Sequence, residues 1–179
     1  MPIHQETSGN DTPLFNADSD LMYGFTSNGN FDRGSSKGSL YRWWQNRILL
    51  RGGGDNDTLV GGEENEIIVG GYGDDLIFDG GGNDILFGGY GNDGFGGDSG
   101  NDCYVLRAGY GTDFIDGFED GQDSFFLAGD LTFEQITITK SFGVDYSTFQ
   151  ISITSTGEVL MDLATSSTAD LTAADFISI

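Results

Sequence analysis

Residues 52–105 read GGGDNDTLV GGEENEIIV GGYGDDLIF DGGGNDILF GGYGNDGFG GDSGNDCYV, six contiguous nine-residue units without a gap. A seventh, AGYGTDFID, begins at Ala108 after a two-residue slip, and the pattern then dissolves into GFEDGQDSFFL. In each unit the first six positions are mostly Gly, Asp, Asn or Glu, which suit tight turns and left-handed backbone, and the last three are mostly strand formers. One unit therefore predicts one turn and one short strand. Position eight is always large and apolar: Leu59, Ile68, Ile77, Leu86, Phe95 and Tyr104. That phase predicts an all-β fold, a flattened right-handed parallel β-roll with two units per turn. Successive units alternate between two facing sheets, and the position-eight side chains stack as one inner row. A flexible Gly/Asp linker has no reason to hold its apolar residues in phase.

Position six carries an acid in every unit: Asp57, Glu66, Asp75, Asp84, Asp93 and Asp102. Units two apart share an edge of the roll. Asp57, Asp75 and Asp93 therefore line one edge and Glu66, Asp84 and Asp102 the other, at the strand spacing of about 4.8 Å. Bare, each row repels itself. A hard divalent cation between consecutive turns would take one carboxylate from each, with carbonyls of the Gly-rich turns completing six or more oxygen ligands. An irregular carbonyl-rich cage suits Ca2+ better than Mg2+, which keeps its waters. The pattern has departures: Asp55 and Glu64 stand at position four, Glu66 replaces Asp at position six, Asp79 stands at position one and Asp98 at position two. Unit 61–69 is accordingly the weakest candidate turn.

The units follow GGxGxDxUx, most closely in GGYGDDLIF and GGYGNDGFG, and over residues 52 to about 123 the chain resembles the RTX, or hemolysin-type calcium-binding, family. The resemblance implies a parallel β-roll, folding driven by Ca2+, and passage through a type I exporter directed by an uncleaved C-terminal signal. It further implies that YVLRAGYGTDFIDGFEDGQDSF is an end-cap in which Asp113, Asp116 and Asp123 serve the last ion sites. The final DFISI is similar to the endings of several type I substrates.

Charge narrows the partners. The 179 residues hold 29 acids against 7 Lys and Arg, a formal net charge of −22. Residues 52–123 alone contain 17 of those acids, with Arg107 as their one base. Such a polyanion repels nucleic acid and anionic lipid and attracts cations. No apolar run approaches the length of a membrane span, and MPIHQETSGND has neither the basic start nor the apolar stretch of a Sec leader, so export by another route is expected. Cys103 is the one cysteine and His4 the one histidine, which removes internal disulfides, zinc fingers and HExxH metalloproteases; with no GxSxG either, an enzyme is not expected.

Three segments follow: an irregular N-terminal cap over 1–51, the roll over 52–123, and a β-rich C-terminal cap over 124–179. In the last, ITIT (136–139), FQISITS (149–155) and EVLMDLA (158–164) read as strands, with Ser155-Thr156-Gly157 as a hairpin turn. Leu131–Ile136 and Leu171–Phe176 read as capped helical turns. Positions seven and nine point outward. Ile67, Val69, Ile85, Phe87, Cys103 and Val105 make one outer face wholly apolar, so flanking chain that includes Trp43, Trp44, Ile48 and Leu49 is expected to cover it, with Cys103 as a small core hydrophobe. The basic stretch RGSSKGSLYRWWQNR is expected to cap the N-terminal end of the roll, its Arg side chains offsetting nearby carboxylates. The function expected is a secreted, non-catalytic calcium-binding protein. The alternatives are an extracellular module for anionic polysaccharide, with Trp, Tyr and Arg as the contacts, or a surface-layer protein that self-associates with calcium.

Overall fold

The computed structural model describes residues 3–5, 20–24, 30–32, 38–42, 48–142, 147–165 and 170–177. In chain order the strands are β1 (Ile3–Gln5), β2 (Asp20–Gly24), β3 (Asn30–Asp32), β4 (Gly38–Arg42), β5 (Ile48–Gly53), β6 (Thr58–Val60), β7 (Glu66–Tyr72), β8 (Leu76–Phe78), β9 (Ile85–Tyr90), β10 (Gly94–Gly96), β11 (Cys103–Arg107), β12 (Asp113–Asp116), β13 (Ser124–Ala128), β14 (Ile136–Phe142), β15 (Ser147–Ile153), β16 (Val159–Thr165) and β17 (Phe176–Ile177). They form two sheets, ordered β1-β2-β4-β6-β8-β10-β12-β16-β15-β14 and β17-β13-β11-β9-β7-β5-β3. Consecutive repeat strands thus alternate between sheets.

The nine-residue period becomes an eighteen-residue register: Leu59 pairs with Ile77 and Ile77 with Phe95 in one sheet, and Ile68 with Leu86 and Leu86 with Tyr104 in the other, all parallel. Because alternate residues of a strand face opposite sides, fixing position eight inward fixes the whole unit. All six position-eight side chains are buried, Phe95 the most accessible at 3%. After Phe95 the register absorbs the slip, with Phe95 opposite Ile115 and Tyr104 opposite Phe125.

The flanks join the roll. β3 pairs with β5 and β5 with β7, while β1, β2 and β4 lead into β6, every pair parallel. Part of the segment read as an irregular cap thus continues both sheets, without the nine-residue phase to announce it. At the other end β13 and β17 extend one sheet in parallel, and β16 joins β12 in parallel before β15 and β14 return antiparallel. Both expected helical turns form as short 3-10 helices, Phe133–Gln135 and Ala173–Asp175, each with a capping box.

The outer face departs from expectation. Ile67 and Ile85 remain 45% and 44% exposed, and Leu76 and Phe78 on the opposite sheet are similarly open. Leu49 does not fold over this face; it extends it, pairing with Ile67 while Leu50 points inward. Ile48 begins the same strand, and Trp43 and Trp44 lie outside the described residues. Cys103 sits half-buried on that face between Ile85 and Ser124, not in the core, and burial raises its thiol pKa above the ordinary value.

Candidate metal centre

Each repeat turn is built so that backbone stacks on backbone. Gly73, Gly82, Gly91 and Gly111 take left-handed φ values of 112–138°, and a methyl group on Gly91 would lie 2.0 Å from the Gly73 carbonyl oxygen. Only glycine allows that approach. Asp55, the counterpart of Gly73 one turn earlier, also adopts positive φ (67°), which aspartate tolerates better than most residues.

Turn stacking aligns the carboxylates in two files. On one edge the Asp57 amide donates to Asp75 Oδ1 (2.8 Å), the Asp75 amide to Asp93 Oδ1 (2.8 Å) and the Asp93 amide to Asp113 Oδ1 (3.0 Å). On the other, the amides of Glu66, Asp84 and Asp102 donate to Asp84, Asp102 and Asp123 at 2.7, 2.9 and 3.0 Å. Every acid at position six is buried. In Asp75, Asp84, Asp93 and Asp102 one carboxylate oxygen is therefore satisfied by the neighbouring turn, while Oδ2 of Asp75, Asp84 and Asp93 is buried without a hydrogen-bond partner.

The orphan oxygen of Asp75 faces a carbonyl: a methyl group on Gly70 would lie 2.3 Å from Asp75 Oδ2 and 2.4 Å from the Gly88 carbonyl oxygen. The turn before repeats the geometry, with Asp57 Oδ2 and the Gly70 carbonyl oxygen 2.7 and 2.6 Å from a methyl group on Gly52. A carboxylate oxygen and a carbonyl oxygen that converge on one point have no proton between them to share. What satisfies both is a hard cation, and oxygen-only donors suit calcium. The donor set fits the ion.

The electrostatics agree. Burial pushes the carboxyl of Asp84 up to about 8, those of Asp75 and Asp113 to about 7, and those of Asp93 and Asp102 to about 6. In all five neighbouring carboxylates add to the rise. In all five a backbone amide partly opposes it. A bound cation reverses the sign, because it favours the charged form.

Three residues behave differently from the rest. Glu66 turns its longer side chain back on its own turn, where Oε2 accepts the Gly62 amide at 3.1 Å. Asp123 ends its file with both oxygens occupied, by the amides of Asp102 and Glu119. Asp116 is outside both files: Ile115 holds the inward position of β12, so Asp116 points out, exposed, opposite Gly96 and Ala164. Strand alternation thus separates Asp116 from Asp113 and Asp123, with which the resemblance groups it.

Two features escaped the sequence reading. Position five carries its own exposed ladder, with Asn56, Asp74 and Asn92 accepting the amides of Asp74, Asn92 and Thr112, and Asn65 and Asn83 those of Asn83 and Asn101. It runs opposite to the position-six files, so each turn is clipped in both directions. The recurrence of Asn or Asp at that position was the available signal. The second is Asp79, fully buried, whose carboxylate gathers with those of Asp84 and Asp102 within 4.8 Å.

No protein-family model matches the sequence, and no curated protein matches it. Among solved structures the chain is similar to the solution structure of the AlgE6R3 subunit from the Azotobacter vinelandii mannuronan C5-epimerase. The TM-score is 0.51 and the identity 24%, over 69% of this chain and 78% of that one. The likeness is one of fold. It supports an all-β parallel β-solenoid; the case for an ion rests on the two files themselves.

Proposed function

We propose that this is a secreted, non-catalytic calcium-binding protein whose roll folds as Ca2+ binds between its turns. The observation that carries the reading is the set of buried Asp75, Asp84 and Asp93 carboxylates that each keep a partnerless Oδ2, with the Gly88 carbonyl oxygen turned towards that of Asp75. Without cations the repeat segment holds 17 acids against one base, and self-repulsion opposes compaction. Each bound ion adds two positive charges and ties two turns together, so binding free energy becomes folding free energy. An exporter of the type I class can thread the unfolded chain, which then folds on reaching millimolar calcium; extracellular modules need only about 10⁻⁴ to 10⁻³ M affinity. Circular dichroism over a calcium titration tests this. The expected outcome is strand signal appearing cooperatively with Ca2+, and an unchanged spectrum between chelator and millimolar Ca2+ would overturn it.

A different observation favours a second role, binding of anionic polysaccharide. Tyr72, Tyr90 and Tyr110 stack along the roll at 5.1 and 3.9 Å between ring centroids, and the Arg107 guanidinium lies 4.7 Å over Tyr110. They border a recess of about 280 Å³ that also reaches Arg51 and Phe87. Aromatic rings beside guanidinium groups suit sugar faces and uronate carboxylates.

A further inference from the structure

Position one of the repeat is glycine in Gly52, Gly61, Gly70, Gly88 and Gly97, and aspartate in Asp79 alone. The glycines are there for space: a methyl group on Gly88 would lie 2.0 Å from Asp93 Oδ2. Asp79 instead sends a whole carboxylate into the neck of the turn, at 0% exposure. Its Oδ1 accepts the Asp98 amide at 3.1 Å, and its Oδ2, like that of Asp84, is buried with no hydrogen-bond partner.

We propose that Asp79, Asp84 and Asp102 form a three-carboxylate cation site that binds more tightly than the other rungs and fills first. This rests on the calcium reading above and deepens it. One oxygen from each of the three lies within 4.8 Å of the others, no wider than two calcium–oxygen bonds of about 2.3 to 2.6 Å placed end to end. The second, independent feature is Tyr104. Its hydroxyl is fully buried and has no hydrogen-bond partner. It sits by Gly97, the counterpart of Asp79 one turn on, where a methyl group would lie 2.7 Å from it. A phenol hydroxyl both donates and accepts, so it can face a cation or donate to whichever carboxylate oxygen the ion leaves free.

Ligand charge count is a main determinant of affinity in calcium sites. Two carboxylates meet at an ordinary rung and three meet here. The ion bound here joins turn 79–84 to turn 97–102, both within the repeat, so ordering spreads outward from this rung along both edges. A trivalent cation gains still more from the third negative charge.

Terbium(III) is the probe, read by luminescence sensitised from nearby tyrosine, on the full chain. The first equivalent should bind at least about tenfold more tightly than the rest. Asp79→Asn should abolish that step, with the later equivalents retained, and Asp162→Asn, on β16 outside both files, should leave it intact. Tyr104→Phe should dim the first-equivalent emission selectively. Asp79→Gly restores the repeat's own residue; it guards against an unfolded variant, and should match Asp79→Asn while reaching the wild-type dichroism in excess Ca2+. A tight first equivalent that survives in both Asp79 variants, or the lack of one in the wild type, overturns this proposal and leaves the calcium reading standing. If neither Tb3+ nor Ca2+ binds the wild type, both fall.

Discussion

The repeat segment and the C-terminal segment share two sheets but are held by different physics. In the repeats, strands such as β6, β8 and β10 are three residues long and bury one side chain each, next to a buried acid. A single Leu or Ile contributes about 1.5–3 kcal/mol on burial, small against the entropy of ordering a whole nine-residue unit. In the C-terminal segment β15 and β16 bury four residues each, and Phe125 stacks between Phe176 at 5.1 Å and Phe118, from the end of the roll, at 4.8 Å. The acids differ in the same way. Asp175 is buried, but its carboxylate is satisfied by the Thr172 amide and hydroxyl within one capping box. Asp75, Asp84 and Asp93 each keep an oxygen that no donor reaches. One region carries its own stabilisation, whereas the other has left a place for ions to supply it.

Removing the ions should separate the two regions most sharply. Hydrogen exchange after chelation should strip protection from the amides of β7 and β9, by several orders of magnitude where they become fully unfolded. The amides linking β14, β15 and β16 should remain the last protected. Equal loss in both regions would show that the C-terminal core depends on the roll.

The regions also differ in how much their sequences disclose. A strict nine-residue phase made the inward row, the two sheets and the two carboxylate files readable, because a one-residue slip would turn every inward side chain outward. Strands β1 to β5 were not readable as part of the roll. Leu40 and Leu59 are in register, nineteen residues apart, but the sequence between them holds no glycine until Gly52. The end of the files was partly readable: resemblance pointed to Asp113, Asp116 and Asp123, and the slips that carry the files to Asp113 and Asp123 leave Asp116 on the outer face. Asp79 was visible as a departure from glycine. Its meeting with Asp102 needed the stacking of turns, which no single unit contains.

Acid should partly stand in for calcium, in the repeats only. The carboxyl groups of Asp75, Asp79, Asp84, Asp93, Asp102 and Asp113 have folded-state pKa values raised from 3.8 to between about 6 and about 8. A raised value means that the folded form holds protons which the unfolded chain has released. The stabilisation is complete below about pH 4 and is lost as pH rises through 6 to 8. Calcium-free protein should therefore show more strand signal at pH 5 than at pH 8, and calcium affinity should rise over the same interval as the ion displaces protons. A calcium-free fold that strengthens towards pH 8 would contradict burial of these groups.

The smallest effect concerns the tyrosine row, which lies on the repeats but owes nothing to their ions. Tyr72 is 64% exposed and stacks on Tyr90 with the rings 6° from parallel. An exposed aromatic pair of this kind contributes about 0.5–1.5 kcal/mol, and the turns beneath are held by the backbone and carboxylate ladders whatever stands at position 72. Tyr72→Ala should therefore shift the calcium midpoint of folding by less than about tenfold. Yet among the described residues Tyr72 ends the stack, with a described tyrosine against one face of its ring only, and a sugar ring could use the other face where Tyr90, stacked on both sides, has none to offer. Electrophoresis through a gel containing polyuronate distinguishes the roles. Retardation of the calcium-loaded wild type that disappears in Tyr72→Ala assigns the ring to ligand contact, whereas identical mobility of the two proteins leaves it a rung of the outer surface and removes this row from the case for polysaccharide binding.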